Sequence, residues 1–372
     1  MNPLLNIVSF DIPYPANYGG VIDVFYKLKA LSETGVDIIL HCFEYRDRSR
    51  NTELEKYCKK VYYYKRKLWI NPFQRLPYIV ATRNNAHLLE NLLENDAPIL
   101  FEALHSCYFL DHPKLAQRKK IVRMHNIEHD YYRLLAEAEK NVLIKAYYRF
   151  ESRLLLKYEE ILSNADMILA ISPNDTRQLS AMFKKSCFYL PAFHANKEVL
   201  SKTGRGNYCF YHGKLSVAEN NQAALFLVNR VFSKLSIPFV ICGDGISREL
   251  KSAASRNPNI QILEGLSTAE IDERIEHAQI NVLSTFQPTG IKLKLLNVLY
   301  RGRFVLTNPA MVDNTGLQDL CIVKSLADEF VEVIPKLMEL EFTDEDIAKR
   351  REILSSNFNV EKDARVLKSL IQ

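Results

Sequence analysis

Several features that define large classes of proteins are missing from this sequence. Its 372 residues contain no apolar run of about 18 residues, the length that a membrane-spanning helix needs. The seven cysteines are scattered without a CxxC pair, which argues against a disulfide scaffold and favours buried free thiols in a reducing compartment. A net charge of +5 tolerates anionic ligands but falls short of a nucleic-acid-binding composition.

A secretory signal and abundant glycine are also missing. Residues 1–5 carry no basic residue and Asp11 interrupts the first apolar run, unlike the pattern of a signal peptide. Only 12 glycines occur, and none lies between Gly35 and Gly204. We therefore expect a cytoplasmic globular protein whose few glycines occupy specific turns.

What the sequence does contain is an alternation of short apolar strands and amphipathic helices, repeated in two halves. A chain of 372 residues exceeds one ordinary core, and the polar segment 201–207 (SKTGRGN) is the predicted linker. We expect an N-terminal domain at 1–200, a second domain at 208–355, and a C-terminal helix at 356–372 that packs on the first domain. The alternation predicts an α/β fold of two Rossmann-like domains facing across a cleft.

Apolar runs and helical spacing predict the individual elements. In the first half they predict strands at 4–10, 36–43, 60–64, 98–104, 120–124 and 167–171, with helices after Gly20 and near 84–95 and 138–163. In the second half they predict strands at 208–212, 238–242, 260–263, 280–283 and 303–307, with helices at 220–235, 246–255, 268–277 and 291–301. The helix near 138–163 has charges flanking an apolar stripe, which is typical of a helix with one buried face.

The segment from 280 to 308 (INVLSTFQPTGIKLKLLNVLYRGRFVLTN) is the most specific part of the sequence. It predicts a buried strand, a polar turn, a helix opened by Gly290 and closed by Gly302, and a second strand. Lys292 and Lys294 lie in or near the first turn of this helix, whose N-terminus already attracts anions. Two cations there favour a doubly charged ligand, so we predict a diphosphate site and hence a nucleotide sugar.

Other glycines follow apolar strands. They are Gly19 and Gly20 in the first half, and Gly213, Gly243, Gly245 and Gly265 in the second. Glycines at strand exits let backbone N–H groups approach a ligand closely, and ligands of such sheets bind outside the strand carboxyl ends. Both sets of glycine turns are therefore expected to line the predicted cleft.

These segments, in this order, resemble the GT-B glycosyltransferases of the group 1 kind, family 4. The resemblance is carried by the following motifs: Pro15-Ala-Asn-Tyr-Gly19-Gly20, the strand at 165–172 (ADMILAIS), Tyr211-His-Gly213-Lys214, Val240-Ile-Cys-Gly243-Asp-Gly245, Leu263-Glu-Gly265-Leu266, the segment 277–284 (HAQINVLS), and Gly290-x-Lys-x-Lys followed by Gly302. It covers nearly the whole chain. It implies a retaining transfer from a nucleotide sugar without a bound metal or other cofactor.

The resemblance also implies roles for individual residues. Donor diphosphate binding would fall to Gly19, Gly20, Lys214, Gly290, Lys292 and Lys294. Gly265 and Leu266 would hold the base of a UDP- or GDP-linked sugar. Asn297 occupies the place of a glutamate that grips the ribose hydroxyls, and an amide cannot act as a charged bidentate acceptor.

Two histidine segments add candidates in the first half. His105, just past the strand at 98–104, matches the family's histidine near the reacting centre of the sugar; the alternative is a strand-end histidine bonded to backbone. The segment His125-Asn126-Ile127-Glu128-His129 has the HxxEH spacing of zinc proteases, but it follows directly on a strand and has no clear third ligand. We favour a loop in which His125 and Asn126 contact sugar or acceptor hydroxyls, with a purely structural role as the alternative.

Residues 59–69 (KKVYYYKRKLW) combine five cations, no acid and the single tryptophan. Three interpretations are open: a strand with one wet face, a contact with an anionic membrane surface, or nucleic-acid binding. We favour the first two and expect no nucleic-acid partner.

The sequence as a whole predicts transfer of a sugar from a nucleotide-diphosphate sugar to a hydroxyl of a glycan or lipid-linked acceptor. Cell-surface polysaccharide or glycoconjugate synthesis, at the inner face of the membrane, is the expected setting. No metal is expected, because the only Asp-x-Asp, Asp344-Glu-Asp346, reads as the acidic first turn of a capped helix. A non-catalytic nucleotide- or glycan-binding subunit and a sugar-nucleotide epimerase or phosphorylase are the alternatives.

Overall fold

The computed structural model divides into two compact units. It describes residues 2–45, 48–69, 75–139, 141–183, 185–286, 293–313 and 315–372. The first unit comprises the described residues up to Ala195 together with Phe358–Gln372, and the second comprises the described residues from Asn196 to Asn357. Two of the predicted diphosphate-binding residues, Gly290 and Lys292, lie outside the described residues.

The first unit is built on a seven-stranded parallel sheet of order β3-β2-β1-β4-β5-β6-β7. Its strands are β1 Leu4–Ser9, β2 Asp37–Glu44, β3 Lys60–Lys65, β4 Ile99–Glu102, β5 Lys120–Met124, β6 Met167–Ala170 and β7 Cys187–Tyr189. The residues of β4 and β5 are all buried, as expected for central parallel strands covered on both faces.

The second unit contains a six-stranded parallel sheet of order β10-β9-β8-β11-β12-β13. Its strands are β8 Cys209–His212, β9 Phe239–Cys242, β10 Ile260–Leu263, β11 Ile280–Leu283, β12 Phe304–Thr307 and β13 Ile322–Val323. Each of the strands predicted for this half is present within one or two residues of its expected bounds. The polar segment 201–207 pairs with this unit, because Gly204 forms an antiparallel bridge with Phe342.

Helices connect the strands in both units. The first unit holds α1 Gly19–Glu33, α2 Tyr78–Ala81, α3 Ala86–Leu92, α4 Glu128–Ala138, α5 Val142–Tyr158 and α6 Pro173–Phe183. The second holds α7 Ala218–Phe226, α8 Arg248–Ala254, α9 Thr268–His277, α10 Leu293–Arg301, α11 Pro309–Val312, α12 Ala327–Glu339 and α13 Asp344–Asn357, and α14 Val360–Ile371 belongs to the first unit. None of the helices in the described part of the chain is both long and apolar enough to cross a bilayer.

The last helix completes the core of the first unit. Ala364, Leu367 and Ile371 of α14 are buried in the same hydrophobic cluster as the apolar face of α1. The Lys368 ammonium donates to the carbonyl of Thr34 (2.6 Å), at the end of α1, where a cation is favoured. The predicted fold class, two parallel α/β sheets with a C-terminal helix on the first domain, is confirmed; the cleft between the domains stays a prediction.

Two local predictions need correction. Gly19 and Gly20 are the first residues of α1 rather than part of a loop before it. Only the first three residues of His125–His129 form the predicted loop, since Glu128 and His129 already belong to α4.

The predicted capped acidic turn at Asp344-Glu-Asp346 is confirmed. The Thr343 hydroxyl accepts a hydrogen bond from the backbone N–H of Asp346, and the Asp346 carboxylate accepts one from the backbone N–H of Thr343, at the start of α13.

Candidate functional site

The carboxyl ends of β8 and β9 lie close together in the second unit. The N–H of Gly213 donates to the carbonyl of Cys242 (3.1 Å), so the chain leaving β8 runs beside the chain leaving β9. A Cβ on Gly243 would overlap the carbonyl oxygen of Gly213, and only glycine fits there. These two glycine turns therefore form a tight backbone edge at the strand exits; the approach of a ligand to them stays a prediction.

Lys294 extends from the first turn of α10 to this edge. Its ammonium donates to the Asn220 side-chain carbonyl (3.0 Å) and lies 5.3 Å from the centre of the Tyr211 ring. The Asn220 amide nitrogen donates in turn to the backbone carbonyl of Lys214 (3.1 Å). Asn220 thus connects two of the predicted diphosphate residues, the half-buried Lys294 and the exposed Lys214.

Several polar atoms at the same edge have no hydrogen-bond partner among the described residues. They are Nδ1 of His212, Oδ1 of Asn221 and Oγ of Ser284. His212 ends β8, Ser284 follows the neighbouring strand β11, and Asn221 lies beside Asn220 on α7. Buried polar groups are normally paired, so the unpaired atoms at this edge favour a polar ligand. His212 and Ser284 can donate to an anion, whereas the Asn221 oxygen can only accept and suits a ligand hydroxyl.

His212 is held in its neutral form. Burial lowers its pKa to about 3, and the nearby positive charge of Lys294 adds to this effect. At neutral pH the His212 ring therefore offers one N–H donor and one acceptor rather than a second cation.

The position of Asn297 brings in a carboxylate that sequence reasoning missed. Its amide nitrogen donates to Asp272 of α9 (2.9 Å), and Arg301 contacts the other Asp272 oxygen (3.4 Å). Asp272 lies on the helix that directly follows Gly265 and Leu266, the predicted base-binding residues. A negative charge is thus present beside Asn297, supplied by a neighbouring helix. The sequence shows that Asp272 and Glu276 share one face of α9, but this spacing does not by itself indicate the contact with Asn297.

Gly265 itself has the left-handed backbone that favours glycine. Its φ is +75°, and a Cβ there would meet no atom within 4 Å. The turn between β10 and α9 is therefore exposed, and it ends at a capping box between Ser267 and Glu270.

In the first unit, His105 and His125 both contact one phenylalanine. The rings of both histidines contact Phe10 edge to face, at centroid distances of 5.6 and 5.5 Å. His105 belongs to a short 3-10 segment, Leu104–Phe109, that follows Ala103, a non-glycine residue with φ +57°. Gly20 permits this packing, because a Cβ there would lie 2.7 Å from the Phe10 ring, whereas Gly19 faces open space.

His105 is a neutral, partly exposed imidazole. Burial lowers its pKa, and the Glu128 carboxylate, 3.3 Å from Nε2, opposes that shift. Beyond this ion-pair contact, Nε2 has no hydrogen-bond partner among the described residues. His105 thus lies just past the end of β4, as predicted. The Glu128 carboxylate beside it was not among the predicted site residues.

His125 is buried against two carboxylates. Its Nε2 lies 3.0 Å from Glu102 and 3.5 Å from Asp23. Only 7% of the residue is exposed, while Asn126 is half-buried. The structure thus gives His125 internal partners; its contact with a sugar stays a prediction.

Those carboxylates belong to a buried ion network that sequence reasoning missed. The Lys27 ammonium contacts Asp23 (2.9 Å) and Glu102 (2.6 Å), and the Arg123 guanidinium donates to both Asp23 oxygens (2.9 Å each). Burial acts to raise the pKa of Asp23, but Arg123 and Lys27 outweigh it and hold that pKa well below its ordinary value. A charged residue inside an apolar strand, such as Arg123 in β5, was the sequence signal that could have indicated a buried ion pair.

Three side chains of this network have the donor atoms of a possible metal site. Asp23, Glu102 and His125 each offer a ligand atom, and these atoms lie within 4.8 Å of one another. Lys27 and Arg123 already neutralise the two carboxylates, so this group fits an ion network better than a metal site. The HxxEH spacing does not form a shared site either, because His129 pairs with Glu159 (2.6 Å) and His125 with Glu102.

The basic segment 59–69 is partly neutralised. Lys60 and the Tyr62 hydroxyl both contact Glu94 (3.2 and 2.7 Å), and Lys59 contacts Asp37 (3.4 Å). Towards its end the segment is open, since Lys65, Lys67, Leu68 and Trp69 are exposed. Residues 59–62 therefore fit a strand with one solvent-exposed face. Residues 65–69 leave a contact with a membrane surface open.

Comparisons with solved structures identify the fold. A trehalose-6-phosphate synthase, OtsA, superposes with a TM-score of 0.69 at 12% identity, covering 99% of this chain and 98% of its own. HepE of Anabaena, solved in complex with UDP and glucose, gives a TM-score of 0.66 at 11% identity and covers 100% and 99%. The chain has the GT-B fold that the sequence resemblance implied.

At the level of sequence, the chain is similar to a protein of Klebsiella pneumoniae. That protein is described as an uncharacterized 44.6 kDa protein in the cps region, and it is 29% identical over 330 residues, covering 83% of this chain and 84% of its own length. No protein-family model matches the sequence.

Proposed function

We propose that this protein is a glycosyltransferase that moves a sugar from a nucleotide-diphosphate donor to a hydroxyl of a glycan or lipid-linked acceptor. One observation carries the proposal: Asn220 holds the ammonium of Lys294 at the strand carboxyl ends, where His212 Nδ1 and Ser284 Oγ have no hydrogen-bond partner among the described residues. Ligands of open α/β sheets bind at such edges, and this set of groups suits a diphosphate.

The comparisons support the donor class and the setting. HepE, of the same fold, was solved with UDP and glucose, and OtsA is a trehalose-6-phosphate synthase. The Klebsiella pneumoniae relative comes from a cps region, which favours a role in polysaccharide synthesis. We propose a UDP- or GDP-linked sugar as the donor, and a cytoplasmic protein.

In the proposed reaction, cations and backbone N–H groups stabilise the departing diphosphate. Lys294, Lys214 and Lys292, with Gly290 and the start of α1 at Gly19 and Gly20, would act there in place of a divalent cation. Gly265, Leu266 and Asn297 would hold the nucleoside, with Asp272 supplying the charge that Asn297 lacks.

The first unit would contribute the groups that meet the sugar. Neutral His105 has an Nε2 without a hydrogen-bond partner among the described residues, so it can bond the transferring sugar rather than attack it. His125 and Asn126 would bond sugar or acceptor hydroxyls. We propose that the reaction retains the configuration at the anomeric carbon.

A second candidate is a non-catalytic nucleotide-binding subunit. The observation that favours it is Asn297, whose amide nitrogen is already used by Asp272. The two candidates differ in one measurement, the slow release of nucleoside diphosphate from a donor sugar, which only the enzyme performs.

The test is a thermal-shift panel with UDP, GDP, ADP and their sugars. A ligand that binds only the native state raises the melting temperature by mass action, so one base should stand out. Release of that nucleoside diphosphate from its sugar would then identify an enzyme. If no nucleotide shifts the melting temperature at millimolar concentration, the donor assignment is wrong.

A further inference from the structure

Helix α5 presents an apolar face to the outside of the first unit. Val142 is 76% exposed, Leu143 81% and Phe150 51%, and Tyr147 is 42% exposed. Only Glu151 and Leu155 are buried on this helix. An amphipathic helix of a globular domain normally turns its apolar stripe inward, so this face is shaped for a partner.

The charge on this face has one sign. The helix carries Lys145, Arg149, Arg153 and Lys157, and no carboxylate of the described residues forms an ion pair with any of them. Its one acid, Glu151, points inward, where it accepts a hydrogen bond from the backbone N–H of Tyr78 (2.9 Å). At about 100° per residue, Lys145 and Arg149 fall beside the exposed apolar arc, and Arg153 and Lys157 fall within it.

The open end of the basic segment is continuous with this helix. Tyr78 connects the two, because its hydroxyl donates to the carbonyl of Leu68 (3.2 Å) while its N–H donates to Glu151 of α5. Leu68 is 56% exposed and Trp69 98% exposed. With the exposed Lys65 and Lys67, these residues extend the same combination of apolar and cationic groups.

We propose that α5 and residues 65–69 form a docking surface for an anionic phospholipid bilayer. Helices of this kind lie in the plane of the interface, with apolar side chains among the acyl chains and cations at the phosphates. Tryptophan and tyrosine favour the same interface, and long cationic side chains reach back to it. A second copy of the chain, related by two-fold symmetry, would set this positive face against itself.

This inference does not depend on the donor site. The docking residues belong to the first unit, and the lysine site described above belongs to the second. A failure of nucleotide binding would leave the docking surface standing, and a failure of membrane binding would leave the donor assignment standing.

The single tryptophan gives a direct test, because the chain has only Trp69. The full-length protein is titrated with vesicles of phosphatidylcholine alone and of phosphatidylcholine with phosphatidylglycerol, and its fluorescence is recorded. We expect a blue shift with the anionic vesicles only, reversed by about 1 M salt, where charge interactions are screened over ~3 Å. No shift, or an equal shift with both vesicle types, would overturn the proposal.

Two sets of variants test the cationic residues and the apolar residues of this docking surface. The pair Arg149→Glu and Arg153→Glu, measured by vesicle flotation, should weaken binding to anionic vesicles by about tenfold or more. Phe150→Glu should do the same, because it removes an apolar contact and adds a negative charge. The matched controls in the second unit are Lys349→Glu with Arg351→Glu, and Leu340→Glu, which is as exposed as Phe150 at 51%; these should bind like the wild type.

Two outcomes would contradict the assignment. Equal losses in the surface variants and the control variants would mean that binding follows overall charge rather than this surface. A dimer in sedimentation that Phe150→Glu converts to a monomer would assign the face to a second copy of the chain. Circular dichroism and melting temperature establish that each variant is folded.

Discussion

Replacing Lys294 by methionine is the sharpest test of the candidate donor site. Methionine keeps much of the length and apolar character of the side chain and removes the ammonium that Asn220 holds at 3.0 Å. A hydrogen bond to a charged group contributes about 1.5–3 kcal/mol. Loss of one such bond to a diphosphate should therefore weaken nucleoside diphosphate binding by about 10- to 150-fold.

Asn220 sets the scale for this effect. Asn220→Ala removes a neutral group that positions the ammonium and supports the Lys214 loop, which corresponds to about 0.5–1.5 kcal/mol. Its affinity loss should therefore be smaller than that of Lys294→Met. Lys349→Met, an exposed lysine on α13 of the same unit, is the matched control and should not change the affinity.

Isothermal titration with the nucleoside diphosphate selected by thermal shift measures all three variants. If turnover is found, kcat/KM should fall by about tenfold or more in Lys294→Met, which is ~1.4 kcal/mol of transition-state stabilisation. Wild-type affinity in Lys294→Met would refute the donor-site assignment. A larger loss in Asn220→Ala than in Lys294→Met would show that the amide, not the ammonium, meets the ligand.

Two further substitutions test the charge arrangements. Asn297→Glu places a carboxylate against Asp272, and the repulsion should lower the free energy of unfolding by about 1–2 kcal/mol in urea denaturation. Adding Asp272→Asn should restore the stability. A double variant that shows no recovery would contradict the pairing of Asn297 with Asp272. Arg123→Met leaves Asp23 with one cation in a buried site and should cost about 3–5 kcal/mol by the same measurement, whereas the exposed Arg365→Met should stay within about 0.5 kcal/mol of wild type. An Arg123 variant as stable as the control would mean that the buried network contributes little.

The elements that the sequence predicts well are those whose pattern is local. The strands at 280–283 and 260–263 and the helix at 268–277 match their predicted bounds, because each is a short apolar or periodic run ended by a glycine, a serine cap or a polar turn. The terminal helix follows from the same periodicity, and Asn359 caps it as expected for that residue type.

The parts that the sequence does not predict depend on contacts between distant residues. Asp23 and Arg123 are a hundred positions apart, and nothing local indicates that a helix residue and a strand residue form one ion pair. The apolar stripe of α5 is visible in the sequence, but periodicity does not say which side of the stripe is covered. Asp272 was missed for the same reason, because its relation to Asn297 exists only once α9 and α10 pack together.

The return of α14 to the first unit has a consequence for how the protein is made. The described residues of the second unit all lie between 196 and 357, before α14, so that unit can complete its core once residue 357 has left the ribosome. Until α14 is synthesised, the surface of the first unit that Ala364, Leu367 and Ile371 cover stays exposed. Uncovered apolar surface during synthesis is what chaperones bind and what aggregates. Of the two units, the first begins to be translated earlier but completes its core later.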